Sequence, residues 1–318
     1  MKEWPFPISI RVNMAKRQEV AVSQLDYKLL HALSCVIKEQ SFERAADVLC
    51  LSQSAVSQRI KQLEQQFAQP VLIRSQPIQA TDLGKQLLKH YYQVVQLEAD
   101  LLPCAMPHSP QIPLTLHIAS NADTLATWLI PAIAPVVKSH LVEVNLLIDG
   151  EEHTINRLKD GQAFGAISLQ STAIKGCQLT RLGNVDYLLV ASPAFSRHYF
   201  SDGISAKSLK KAPGIAFDHK DNMHTRYIQQ HFGLSQGEYP LHTVRSSEAF
   251  VTMAKHGAAY CLVPKTQIIS ELASGELVHI CKQHIITETL YWHHWILLKG
   301  VYKAVSDAII AHAQSVLD

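Results

Sequence analysis

The sequence predicts a mixed fold: an α-rich helix-turn-helix head with a small wing, one long helix, and a two-lobed α/β domain. Three observations predict it. Residues 41–64, SFERAADVLCLSQSAVSQRIKQLE, read as two short helices joined by a tight turn; residues 83–101 carry one long apolar stripe; and strand-like and helix-like segments alternate from Leu114 onward.

Residues 1–24 carry Pro5, Pro7, Lys16 and Arg17 and no apolar run of a length suited to a signal peptide or a membrane span, so they read as a flexible N-terminal extension. Met14 is an alternative start. The DNA-binding head is expected over 25–84. Tyr27, Leu30, Leu33, Ile37 and Phe42 supply its first helix and a staple, Ala45 and Ala46 permit close helix crossing, and Leu49 points into the shared core. Cys50 and Leu51 form the turn. Ser52 then caps a helix whose Val56, Ile60 and Leu63 face inward at spacings of four and three. That leaves Gln53, Ser54, Ser57, Gln58 and Arg59 on the outer face, where a helix-turn-helix protein reads base edges in the major groove. Any helical hairpin shows apolar periodicity; the paired alanines, capped second helix and hydrogen-bonding outer face distinguish this one.

Charge alone does not point to DNA. The whole chain carries a net +2, and within 25–84 six cations (Lys28, Lys38, Arg44, Arg59, Lys61, Arg74) meet six acids. Only the placement of Arg59, Lys61 and Arg74 near the expected DNA face favours phosphate contact. The segment VLIRSQPIQA, with Pro77 in its turn, suits a hairpin wing, and Arg74 is its one cation. Thr81 then caps a long helix with Leu83, Leu87, Leu88, Tyr91, Val94, Val95 and Leu101 on a stripe too wide for one partner. Pro103, Pro107, Pro110 and Pro113 end it, giving a linker helix and hinge over 85–112.

The head resembles the winged helix-turn-helix of the LysR-type transcriptional regulators in ERAADVLCLSQSAVSQRIKQLE, VLIR and ATDLG, although the tip residues Gln76, Ile78 and Gln79 are less basic than the usual family wing. Beyond it, NADTLATWLIPAIAPV, VDYLLVAS, KAPGIAFDHKDNMH, SSEAFV, ELASGEL and LYWH look like the subgroup of that family that senses lysine and arginine. The resemblance covers about residues 25–318. It implies a homodimer or tetramer paired through the linker helix, binding double-stranded promoter DNA, with RNA polymerase as a further partner. It also implies a periplasmic-binding-protein-like effector domain over 113–318, an effector that is lysine or arginine, and targets in amino-acid transport or biosynthesis.

In that domain the first lobe is expected over about 113–187 and 288–318, and the second over 188–287. Ligands in open α/β sheets sit beyond the carboxyl ends of strands, so the cleft between lobes is the expected sensor site. The candidates at strand and helix ends are Asn121, Asp123, Thr124, Ser168, Gln170, Asp218, His219 and Ser247. Asn121 and Thr124 suit a carboxylate, and Asp123 or Asp218 suits a cationic tail; each is also an ordinary cap. Ser246, Ser247 and Glu248 are caps first.

His293 and His294 are neighbours in a strand and point to opposite faces, so no metal is expected. His219 and His224 read as surface or cleft residues, and Trp128, Trp292 and Trp295 as packing in the first lobe. Six cysteines without C-x-x-C spacing read as reduced thiols of a cytoplasmic protein. No nucleophile elbow, P-loop or glycine-rich dinucleotide motif is present, which argues against an enzyme and against a cofactor. The competing readings are a regulator with another effector, and a small-molecule binding protein whose helical head serves assembly.

Overall fold

The computed structural model describes residues 25–105, 113–150, 153–218 and 221–318. The expected extension 1–24, Pro107, Pro110 and His219 lie outside the described residues. The chain divides into two compact units, one up to Thr81 and one from Asp82.

In the first unit, α1 (Tyr27–Glu39), α2 (Phe42–Val48) and α3 (Gln53–Phe67) are each started by a side chain that accepts a backbone N–H: Asp26, Ser41 and Ser52. Leu30, Leu33, Ala45, Ala46, Val56, Ile60 and Leu63 form the core. Tyr27 does not join it; it is 41% exposed, and Val36 is buried instead. Cys50 takes the left-handed conformation, φ 51°, which turns the chain between α2 and α3. The wing is a minimal hairpin, β1 (Leu72–Ile73) against β2 (Gln79–Ala80), antiparallel, with a cis Gln76–Pro77 bond in its turn.

The second unit opens with α4 (Asp82–Ala105). On it Leu87 and Leu88 are buried, while Val95 and Leu97 are exposed. β3 (Leu114–Ser120) leads into α5 (Ala122–Thr124), a π-helical segment Leu125–Leu129, and α6 (Ile130–Ser139). β4 (Val142–Ile148), α7 (Thr154–Lys159) and β5 (Gly165–Ser168) follow; β4 and β5 flank β3 in parallel.

The next strand, β6 (Cys177–Ala191), is fifteen residues long and crosses between lobes. The second lobe adds α8 (Pro193–Tyr199), α9 (Ala206–Leu209), β7 (Gly214–Ala216), α10 (Asn222–Phe232), β8 (Leu241–Thr243), α11 (Ser247–Lys255), β9 (Cys261–Pro264), α12 (Ile269–Ser274) and β10 (Val278–His279). β11 (Ile286–Trp295) returns antiparallel to β6, pairing Ile286 with Tyr187 and Trp295 with Cys177, and α13 (Gly300–Val316) closes the first lobe. The far half of β6 meanwhile pairs with β9 and β10. The parallel sheet expected from the alternating pattern is therefore confined to β3, β4 and β5 in the first lobe and β7, β8 in the second, and the crossing strands are antiparallel.

As expected, Trp128, Trp292 and Trp295 are buried. Trp292 Nε1 donates to Ser306 Oγ at 2.9 Å, and its ring meets Phe164 edge-on. His293 and His294 are buried too, donating to the carbonyls of Gln170 and Trp295. The close approach of Trp292 requires Gly165: a Cβ there would lie 2.1 Å from the indole. Gly165→Ala is therefore expected to destabilise the second unit by roughly 1–3 kcal/mol, measured as a lowered midpoint of chemical denaturation.

Candidate functional site

The first site is the outer face of α3. Gln53, Ser54, Gln58 and Lys61 are exposed, and Ser57 and Arg59 are half-exposed. Ser52 Oγ is committed to the cap, accepting Ala55 N–H at 3.2 Å, and also lies 2.9 Å from Ser54 Oγ. Arg74 is exposed on the wing, its guanidinium 5.6 Å from the centroid of Phe42. The face offers hydroxyls, amides and two cations and no acid until Glu64.

The second site lies in the effector domain, between the loop after β3 on one lobe and the starts of α10 and α11 on the other. The cleft encloses a cavity of about 80 Å³ and is partly open to solvent. Leu169, Ile215, Phe217 and Phe250 give it apolar walls, and four aspartates, Asp123, Asp149, Asp218 and Asp221, line it.

These carboxylates are not equivalent. Asp149 accepts Arg157 Nε at 2.6 Å, and Asp218 accepts an Arg245 guanidinium nitrogen at 2.7 Å. Asp221 caps α10, accepting the N–H groups of Phe217 (2.8 Å) and Met223 (3.1 Å); burial raises its pKa. Asp123 meets the Ser247 hydroxyl at 2.5 Å and also the Tyr187 side chain. Burial, with Asp221 and Glu248 nearby, pushes its carboxyl up to about 6 against those hydrogen bonds. Among the described residues no cation pairs with Asp123 or Asp221.

Residues 27–85 match the family described as bacterial regulatory helix-turn-helix protein, lysR family, and residues 111–297 match the LysR substrate binding domain. The chain belongs to the LysR family of bacterial transcriptional regulators. Over 293 residues this LysR-family regulator is 53% identical to the HTH-type transcriptional regulator ArgP of Aeromonas salmonicida, an alignment covering 92% of this chain and 98% of that protein. ArgP of Vibrio cholerae is 49% identical over the same lengths. Among solved structures, ArgP from Mycobacterium tuberculosis superposes with a TM-score of 0.77 at 33% identity, and LysG from Corynebacterium glutamicum, with bound effector arginine, at 0.73 and 29%. Both cover 92% of this chain and 99% of the other.

In this LysR-family regulator the cleft brings together Asn121, Asp123, Asp218 and Ser247 of the residues expected from sequence. Thr124, Ser168 and Gln170 do not line it. Thr124 is buried with its N–H on Asn121 Oδ1; Ser168 Oγ accepts the Gln170 N–H, and the Gln170 amide is turned to Thr172. The Asp218 carboxylate, expected to face a cationic tail, is taken up by Arg245. Of the two places expected for His224, surface or cleft, the structure gives the cleft: it lines the cleft while buried, stacked on Tyr260 at 5.6 Å, and burial lowers its pKa to about 4. Its spacing with Tyr227 and Ile228 on the inner face of α10 carried that signal. Asp149 and Asp221 line the cleft without having been expected there. Among the described residues no group of three His, Cys, Asp or Glu is arranged to hold a metal ion, and no helix is long and apolar enough to cross a membrane.

Because the folded-state pKa of Asp123 lies above that of the unfolded chain, the folded state holds the extra proton. The stability tied to this group is full at acid pH and lost as pH rises through about 6. Asp123→Asn escapes that loss. Its stability relative to the wild type is expected to rise by on the order of 2 kcal/mol between pH 4 and pH 7.5, followed by thermal unfolding across that range.

Proposed function

We propose that this LysR-family regulator responds to a basic amino acid, lysine or arginine, held between the two lobes, and controls genes of amino-acid transport or biosynthesis. The observation that carries the reading is the cleft floor, where Asp123, with no cationic partner among the described residues, sits beside the helix-capping Asp221, with apolar walls fit for an aliphatic stem. The bound arginine of the LysG neighbour supports it. In this reading Asp123 receives the side-chain cation. The ligand carboxylate lies toward the first-turn N–H groups of Ala122 and Asp123, which a helix leaves without an intrahelical partner.

The protein acts without catalysis or cofactor, in the cytoplasm, as a homodimer or tetramer joined through α4, whose Val95 and Leu97 are exposed and apolar. Pairing of two heads places two copies of α3 about one duplex turn apart. Gln53, Ser54, Ser57, Gln58 and Arg59 read bases, Ser52 holds the helix start, and Lys61 and Arg74 meet phosphate. RNA polymerase is the further partner, and effector closure of the cleft alters the heads because it favours one arrangement over another.

Two measurements test this. Calorimetry should show heat with lysine and arginine and none with norleucine, and Asp123→Asn should weaken lysine binding at pH 7.5 by about 10- to 100-fold, the worth of a hydrogen bond to a charged group; unchanged affinity removes Asp123 from the site. Titration of labelled promoter DNA should show salt-dependent binding that Arg59→Ala weakens by about 1–3 kcal/mol, and an unaffected Arg59→Ala variant would discard the base-reading assignment.

A further inference from the structure

Three consecutive residues at the corner between α1 and α2 grip the wing from both sides. Gln40, the residue after α1, donates both hydrogens of its side-chain amide: to the carbonyl of Ile37 at 2.8 Å, in the last turn of α1, and to the carbonyl of Ile78 at 2.9 Å, directly before β2. Ser41 caps α2, its Oγ accepting the Arg44 N–H. Phe42 meets the guanidinium of Arg74, which follows directly after β1. The root of the hairpin is tied to α3 separately, by the Val71 N–H on Glu64 Oε1 at 3.2 Å, and the Thr81 hydroxyl closes it on the Pro70 carbonyl at 2.8 Å.

Gln40 holds this place against two costs. Its backbone is left-handed, φ 53° and ψ 25°, a conformation in which helices commonly end on glycine because a Cβ is unfavourable there. Its Oε1 is buried without a partner, which is also unfavourable. What the side chain supplies in return is the link to Ile78, 38 positions along the chain. That link matters because two strands of two residues each have little stability of their own. Arg74 is exposed and is the one cation of the segment VLIRSQPIQA, so phosphate contact from the wing depends on where a single guanidinium stands.

We infer that Gln40 is a positioning residue for DNA binding: its amide fixes the wing to the α1–α2 corner, so that Arg74, laid against Phe42, meets the phosphate backbone at a set place beside α3. The phosphate contact of Arg74 rests on the reading given under Proposed function. Gln40 acts through Arg74. Stacking on an aromatic face leaves the in-plane N–H donors of a guanidinium clear for phosphate oxygens.

The test uses the full chain and labelled promoter DNA, titrated at several salt concentrations to give the slope of log affinity against log salt. Arg74→Ala is expected to make the slope shallower by about 0.9 for each head on the duplex, the share of one phosphate. Gln40→Gly relieves the backbone and removes the amide; Gln40→Met keeps the length and removes the donors. Both are expected to make the slope shallower in the same way, and Gln40→Gly with Arg74→Ala to go no further than Arg74→Ala alone. Wild-type slopes in both Gln40 variants beside a reduced Arg74→Ala slope overturn the inference, even where the unfolding midpoint falls, since that marks a purely structural role. Additive losses in the double variant overturn it too. Without DNA, Gln40→Gly is expected to speed hydrogen exchange across residues 72–80 while α3 keeps its protection, and unchanged exchange in the wing overturns the inference. If Arg74→Ala itself leaves the slope unchanged, the failure belongs to the phosphate assignment, and the exchange measurement still decides whether Gln40 holds the wing.

Discussion

The effector domain depends on the antiparallel pairing of β6 and β11. Together they form the ribbon from which both lobes are hung: the near half carries β5, β3 and β4, and the far half of β6 carries β9 and β10. Everything that faces the cleft is referenced to that ribbon. Gly183 sits inside it at φ 154°, next to a register shift between Leu290 and Tyr291, and the end of the chain packs so closely there that a Cβ would meet Leu317 at 2.4 Å. A bulge in a two-stranded ribbon adds local twist while leaving the flanking hydrogen bonds intact, so the lobes are joined by an element suited to bending.

The cleft gains its chemistry at a cost in stability. A carboxyl with no cationic partner among the described residues, next to two further acids, would be an expensive feature in a protein selected only to fold. Here the cost is moderated by the Ser247 and Tyr187 hydroxyls, and the rim carries its charges as matched pairs, Asp149 with Arg157 and Asp218 with Arg245. The division is physical: the paired carboxylates contribute little net field, whereas Asp123 and Asp221 have no cation paired with them among the described residues.

Much of this was legible in the sequence where short-range rules govern. Ser52 before the Val56, Ile60 and Leu63 spacing specified α3 and its outward face, and the strand and helix alternation from Leu114 located the two lobes. The illegible parts are those set by distant neighbours. The first half of β6, CQLTRLGN, has its alternation interrupted by Arg181, Gly183 and Asn184 and becomes a strand only because β11 lies beside it. Ser247 and Asp123 are 124 positions apart, so no local pattern announces their bond. Asp218 and Asp123 look alike in sequence; Arg245, 27 positions from the first, separates their roles.

The π-helical turn at Leu125–Leu129 places a constraint on this chain's lineage. Such a turn contains more residues than an α-helical one, and it acts as a vernier between two clocks: the loop end that aims Asp123 at the second lobe, and α6, which must seat Ala132 and Ile133 in the first-lobe core. Removing one residue anywhere from 124 to 130 would rotate one against the other by about 100°. Indels in this short stretch should therefore be purged more strictly than substitutions.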